Sequence, residues 1–285
     1  MKTMLSLMFL ALITLSSGIA WAETTEIKVG IFTTDPKMIE DIGKVMDYVS
    51  KKVGVKFVVV PSIGYEKSIK KLRDGDIDAG IFGSAPAFVS FKEGIAEPIA
   101  RPEIRKSSVY YGYWLTLKES GLKKIEDFKG KRFAYVDPYT SAGYLFPRAA
   151  VKGKGFDPDN FFGTVKFSKT HEAAIQMLLN GSVDGCAAKD TAYKKFIDTN
   201  IELKDRLNII EVGGPFPERT LTISKRIDEG IRKKVKEALL QMDSDPEGKK
   251  VLMEIGRSGY VETTSDDFAA IEKILKVLKV WKGLE

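Results

Sequence analysis

Apolar and polar positions along the chain switch between two periods. Residues 27–31, Ile-Lys-Val-Gly-Ile, alternate as a strand does. Met38, Ile42, Val45, Met46 and Val49 then recur at helical spacing. Residues 55–60 are β-rich and nearly all apolar, as a strand buried on both faces must be. Tyr65 opens a second helix with Ile69 and Leu72 on its inner face, and Gly75 ends it. Residues 77–82 form a third strand. Strand and helix in alternation predict an α/β fold, a mostly parallel sheet with helices on its faces.

Beyond that unit, 87–92 reads as a helix and 98–100 as a short extended piece. The β-rich run 107–117 is long enough to carry the chain into a second lobe. There the pattern restarts: strand 132–136, helix 142–152, strand 165–167, helix 171–179 capped by Thr170, and strands 183–188 and 208–211. Residues 212–219 hold two glycines and two prolines and read as the return crossing. Strand 220–224 and helices 231–242, 246–255 and 268–278 complete the first lobe. The expected division is 23–114 plus 216–285 for lobe 1 and 115–215 for lobe 2, with crossings near 113–118 and 212–219.

An internal echo supports two similar lobes. Leu72 to Gly80 and Leu179 to Gly185 share helix end, glycine, β-branched residue, aspartate and small residue. Asp78 and Asp184 would stand at equivalent strand starts, and a structural role on loop N–H groups is the default for both.

Residues 1–22 change the picture of where the protein works. Lys2, an apolar run at 4–13 and Ala20-Trp21-Ala22 read as a secretory leader cleaved after Ala22. The expectation is an exported, periplasmic protein. Cys186 is the only cysteine, so neither an intrachain disulfide nor a thiolate metal cluster is open to the chain. The formal charge of +6 falls to about +5 without Lys2 and is spread rather than clustered. That excludes a nucleic-acid stripe and suits an anionic small molecule.

Candidate chemistry concentrates in residues 136–147, Val-Asp-Pro-Tyr-Thr-Ser-Ala-Gly-Tyr-Leu-Phe-Pro. Asp137-Pro138 breaks the preceding strand, and Thr140 and Ser141 stand where a helix N-cap belongs. Unpaired N–H groups at a helix start suit an anion; the same residues serve equally as a plain cap. His171, the sole histidine, begins another predicted helix, where a structural role is the ordinary one. In Tyr110, Tyr111, Tyr113 and Trp114 strand parity lets one side face a cleft. Tyr111 is the choice, with Tyr110 and Trp114 as packing. No Gly-x-Ser-x-Gly elbow, His-Glu-x-x-His or phosphate loop is present, and an enzyme is not expected.

Taken in order, these motifs resemble the phosphate/phosphite/phosphonate-binding proteins of ABC transporters, within the type II periplasmic binding fold. The segments that carry the likeness are Val-Asp-Pro-x-Thr-Ser-x-Gly-Tyr-Leu-x-Pro and Thr-His-Glu-Ala-Ala-Ile, joined by Tyr-Tyr-Gly-Tyr-Trp, a Pro-x-Pro crossing and Gly-Tyr-Val near 260. The resemblance implies two lobes closing on a ligand, a permease partner, a monomer and no cofactor. It implies that Thr140, Ser141 and Ala142 bind the oxyanion, although the third position usually carries a hydroxyl. It also implies that His171, Tyr65 and Tyr111 face the cleft. Aminophosphonate binders place an acidic residue after the Pro-x-Pro turn; here Glu218 is followed by Arg219, which would repel an amino group. The alternatives are a sensor of the same fold signalling to a membrane kinase, and a binder of sulfonate, sulfate or arsenic oxyanions.

Overall fold

The computed structural model describes residues 26–33, 35–62 and 66–279; the expected leader at 1–22 and Tyr65 lie outside them. The first sheet starts from the strands that the apolar pattern predicts. β1 (Glu26–Phe32) runs parallel to β2 (Lys56–Ser62), with Ile27 opposite Phe57 and Val29 opposite Val59. Between them lies α1 (Pro36–Val53). Asp35 caps α1 by accepting the Lys37 N–H, and Gly54 ends it in the left-handed conformation, φ 79°. Val45, Met46 and Val49 of α1 are buried against the sheet. After α2 (Glu66–Asp74), β3 (Ala79–Phe82) joins parallel to β1 on its other side, and α3 (Ser84–Lys92) follows. The parallel part of this sheet is continued by the return strand 220–224, antiparallel to β3, and beyond it by β4 (Ala96–Glu103), which pairs antiparallel to that return strand and is longer than the expected 98–100 piece.

The second sheet contains β5 (Val109–Leu117), β6 (Arg132–Tyr135), β7 (Thr164–Phe167), β8 (Gly185–Lys189) and β9 (Leu207–Pro217), in the order β7-β6-β8-β5-β9. β6 is parallel to β7 and β8, linked by α4 (Phe146–Gly153) and α5 (His171–Leu179). α6 (Asp190–Thr199) and the short α7 (Glu202–Arg206) precede β9 and were not anticipated. β5 and β9 are paired antiparallel from Val109–Pro217 to Leu117–Leu207. The long strand is therefore a member of the second sheet. The chain passes between sheets at 104–108 and 218–219, the first well before the expected 113–118 and the second at the end of the expected 212–219. Pairing satisfies backbone groups that a bare crossing would leave to water. Pro215 is tolerated because β9 is an edge strand.

The return strand β10 (Thr220–Ser224) lies between β3 and β4; α8 (Glu229–Leu240) and α9 (Pro246–Glu254) lead to β11 (Gly259–Glu262). The Gly-Tyr-Val motif is thus an edge strand beside β4, giving the order β11-β4-β10-β3-β1-β2. The last helix, α10 (Ala269–Leu278), was expected within the first lobe. It packs on α3 there and also on α4 of the second lobe. Its Ile271 and Leu275 belong to an apolar cluster that includes Phe82 and Phe88 of one lobe and Phe133 and Phe146 of the other.

The two echoing aspartates do the same work. Asp78 accepts the N–H of Lys28 at 3.0 Å and Asp184 that of Arg132 at 2.8 Å. Each takes up the N–H near the start of the neighbouring parallel strand. Arg132 also closes an ion pair with Asp184 at 2.6 Å. Cys186 is fully buried in β8, and burial pushes its thiol far up, so it is inert.

Candidate functional site

The stretch after β6 folds as a sharp turn into a helix. The Asp137 carboxylate accepts the N–H of Tyr139 at 3.0 Å, and the Asp137 carbonyl accepts the N–H and the hydroxyl of Thr140 at 3.0 and 2.7 Å. Thr140 holds the N-cap position, but its hydroxyl is spent on this turn and caps no helical N–H. One π-helical turn, Ser141–Leu145, then leads into α4. The Gly143 carbonyl accepts the Val136 N–H at 3.1 Å, folding the helix start back on the strand end. A Cβ on Gly143 would stand 2.5 Å from a Val136 methyl, so only glycine fits there. Gly112 of β5 passes beneath, where a Cβ would come within 3.1 Å of the Ala142 Cα. Among the described residues, the N–H groups of Ser141, Ala142 and Gly143 and the Ser141 hydroxyl have no acceptor or partner, although Ser141 is only 3% exposed. A helix start leaves such N–H groups without intrahelical acceptors, and an anion is one partner that takes them up.

Thr140 opens onto a cleft of about 780 Å³ between the lobes. Its second-lobe wall carries Thr140, Lys169, Thr170, His171 and Lys189, and Arg219 of the crossing stands with them. The first-lobe wall mixes apolar side chains, among them Met38, Ile42, Ile104 and Tyr260, with the charged Asp35, Lys37, Asp41 and Arg257.

The His171 ring stands at the start of α5, where Thr170 caps the helix by accepting the Ala173 N–H at 3.1 Å. Its Nδ1 accepts the N–H of Lys189 at 3.0 Å. That bond requires Nδ1 to be unprotonated, so Nε2 carries the hydrogen and is the donor. Burial, with the charges of Lys189 and Arg219 nearby, pushes the His171 pKa down to about 3. The imidazole is neutral at physiological pH.

Lys189, at the end of β8, was missed as a site residue. Its Nζ lies 2.8 Å from both carboxylate oxygens of Glu218 and 4.2 Å from the Tyr110 ring centroid. Burial holds the ammonium below the usual lysine range, while Glu218 opposes the shift. The pair links the second sheet to the crossing at 218–219. The one sequence signal was a lysine directly after the apolar Gly-Cys-Ala-Ala strand. Arg219 lines the same cleft, and neither it nor Lys169 has an ion-pair partner among the described residues.

Of the predicted site residues, Thr140, His171 and Arg219 share this cleft. Ser141 and Ala142 lie directly behind Thr140, buried, and do not line the cavity. Tyr111 is 38% exposed on β5 and also stands outside that lining; Asp190 accepts its N–H at 3.0 Å. Tyr110 and Trp114 are packed, as expected. Tyr65 is outside the described residues. Among those residues no group of side chains could hold a metal ion, and no helix is long and apolar enough to cross a membrane.

Comparison with known proteins bears on this arrangement. A family model described as ABC transporter, phosphonate, periplasmic substrate-binding protein matches residues 31–268. The Phosphate-import protein PhnD of Mycolicibacterium smegmatis is 24% identical over 164 residues, 54% of this chain and 51% of that protein. The match thus spans about half the length of that relative. PhnD1 from Prochlorococcus marinus, solved in complex with methylphosphonate, is similar at TM-score 0.73 and 19% identity, over 90% of this chain and 99% of that one. A binding protein component of an ABC phosphonate transporter from Pseudomonas aeruginosa gives TM-score 0.73 and 19% identity, over 92% and 90%. At such identities the structural likeness shows the fold, two sheets flanked by helices as in periplasmic binding proteins. The family match runs from β1 through the whole cleft to Phe268, and on it this chain belongs to the phosphonate-binding family of ABC transporter periplasmic substrate-binding proteins.

Proposed function

We propose that the protein captures a phosphorus oxyanion, a phosphonate, phosphite or phosphate, between its lobes and delivers it to an ABC importer. The observation that carries this reading is a set of donors near the cleft without partners among the described residues: three consecutive amides and the Ser141 hydroxyl, with His171, whose Nε2–H is left to donate, and Arg219 lining the cavity itself. Each charge-assisted bond contributes roughly 1.5–3 kcal/mol net, and four or five support micromolar binding, about −8.2 kcal/mol, after the costs of closure. The N–H groups of Ser141, Ala142 and Gly143 and the Ser141 hydroxyl would hold the oxyanion, while Thr140, whose two donors go to the Asp137 carbonyl, shapes the turn; His171 and Arg219 would donate from the cleft wall, and Tyr65 and Tyr111 remain the proposed cleft tyrosines. The methylphosphonate held by the Prochlorococcus relative and the phosphate named for the Mycolicibacterium one support this ligand class.

In this reading the two sheets are the two lobes, the leader is removed after Ala22 and the mature protein acts as a periplasmic monomer beside its permease. It binds and releases its ligand without turnover. A thermal-shift series of the mature protein with phosphate, phosphite, methylphosphonate, 2-aminoethylphosphonate and sulfate tests it. A ligand that binds the folded state raises the melting temperature. At least one phosphorus oxyanion should do so more than sulfate; a rise with sulfate alone, or with none, overturns the proposal.

A further inference from the structure

Lys189 places its ammonium where the rest of the chain has already built a seat for a cation. Two groups form that seat. Nζ donates to both carboxylate oxygens of Glu218 at 2.8 Å, and it stands over the Tyr110 ring, 4.2 Å from the centroid. A carboxylate and an aromatic face are the groups by which an organic ammonium is recognised. Other residues fix both of them. The Glu218 N–H donates to the Ser108 carbonyl at 2.9 Å, and the Glu218 carbonyl accepts the Thr220 hydroxyl at 3.0 Å. The Tyr110 hydroxyl is 2.9 Å from Ser84 Oγ, and its ring packs on Phe216. Lys189 and Glu218 both line the cleft with His171 and Arg219, so the seat opens on the ligand cavity. Stability alone gives little reason for such a pair, because replacing a buried ion pair outright with apolar residues of similar volume is often neutral.

We propose that Lys189 is a specificity-determining residue: its own ammonium fills the cation seat formed by Glu218 and Tyr110 and so shuts out ligands that carry a cationic group. The proposal rests on the reading above only for the oxyanion that shares the cleft. A ligand ammonium could take the seat only by displacing one already attached to the chain, which loses no freedom of association in staying there. Removing the lysine side chain leaves the carboxylate and the ring in place and the seat vacant.

Thermal shift of Lys189→Ala with methylammonium chloride, against potassium chloride at the same concentration, tests the seat without any phosphorus ligand. Methylammonium should raise the melting temperature of this variant by about 2 °C or more over the salt control. The parent, whose seat is filled, should show no such difference. Nor should Lys189→Ala combined with Glu218→Gln, which lacks the carboxylate. No amine-specific rise in Lys189→Ala, or an equal rise in the parent or the double variant, overturns the proposal. Loss of a merely structural tether would lower the melting temperature without making it respond to amine. Calorimetry then reads the specificity. Lys189→Ala should bind 2-aminoethylphosphonate, relative to methylphosphonate, at least about ten-fold better than the parent does. Arg219 is present in both proteins, so the change in ratio isolates Lys189; an unchanged ratio overturns the exclusion. Should Lys189→Ala fail to fold, the parent decides: it should bind 2-aminoethylphosphonate more weakly than methylphosphonate, and equal or tighter binding overturns the proposal. If methylphosphonate binds neither protein, the oxyanion reading fails while the amine series still decides the seat.

Discussion

The imidazole Nδ1 of His171 accepts the main-chain N–H of Lys189 at 3.0 Å, tying the start of α5 to the end of β8. One hydrogen bond thereby sets the tautomer of the only histidine and leaves its Nε2–H as a donor. The ring is neutral by environment, with burial as the leading cause and two nearby cations adding to it.

A pH dependence of stability follows. The His171 pKa falls from its ordinary 6.5 to about 3 on folding, so between those values the unfolded chain binds more protons than the folded one. The stabilisation is complete above about pH 6.5 and is lost as pH falls toward 3. His171→Asn keeps an acceptor for the Lys189 N–H and does not titrate. Its melting temperature should therefore fall less than the parent's between pH 7 and pH 4.5. Parallel declines would remove His171 as a contributor.

Ser141→Ala probes the grip on the oxyanion. A hydroxyl that donates to a bound anion contributes about 1–3 kcal/mol, so methylphosphonate affinity should weaken by that amount in calorimetry. Ser141 has no partner within the described residues, so the fold itself should tolerate the change. An unaltered dissociation constant would show that the hydroxyl does not touch the ligand.

Arg219 sets the sign of charge at the crossing. Arg219→Glu removes a guanidinium from the cleft wall and adds a carboxylate beside the His171 ring. The variant should bind 2-aminoethylphosphonate better, relative to methylphosphonate, than the parent does. An identical ranking would place Arg219 away from the ligand's substituent.

The Lys189–Glu218 pair is a stability element. Glu218 is 3% exposed, and its two carboxylate oxygens are both 2.8 Å from Nζ. Glu218→Gln leaves a largely buried ammonium without its counter-charge, at a cost of about 3 kcal/mol. The urea midpoint should drop accordingly at constant slope. Lys189→Met combined with Glu218→Gln should cost less than the sum of the two single changes. Strict additivity would show the pair to be uncoupled.

Ligand should also draw the lobes together. The shared cluster around α10, which touches α3 and α4, would then have to slide rather than separate. Saturating methylphosphonate should reduce the scattering radius of gyration. A radius that does not change would argue for a rigid cleft.

Local pattern was enough for the elements whose apolar residues repeat within one helix or strand. The stripe on α1, the Thr170 cap of α5 and the break at Asp137-Pro138 are all written in near neighbours. The apolar run at 55–60 does form β2, but β2 is an edge strand in which only Phe57 is buried, because no further strand covers its outer side. The echo of Asp78 and Asp184 likewise announced two lobes, because each aspartate serves the N–H near the start of an adjacent parallel strand. Pairing between distant segments was not written there. β5 and β9 are about a hundred residues apart, and only their register shows that both lie in one sheet. Nor did any local signal join Lys189 to Glu218, bring His171 under the Lys189 N–H or send α10 across to α4. Sequence proximity governs helix caps and strand parity; burial, charge partnership and the tautomer of a ring depend on which remote groups the folded chain brings within 3 Å.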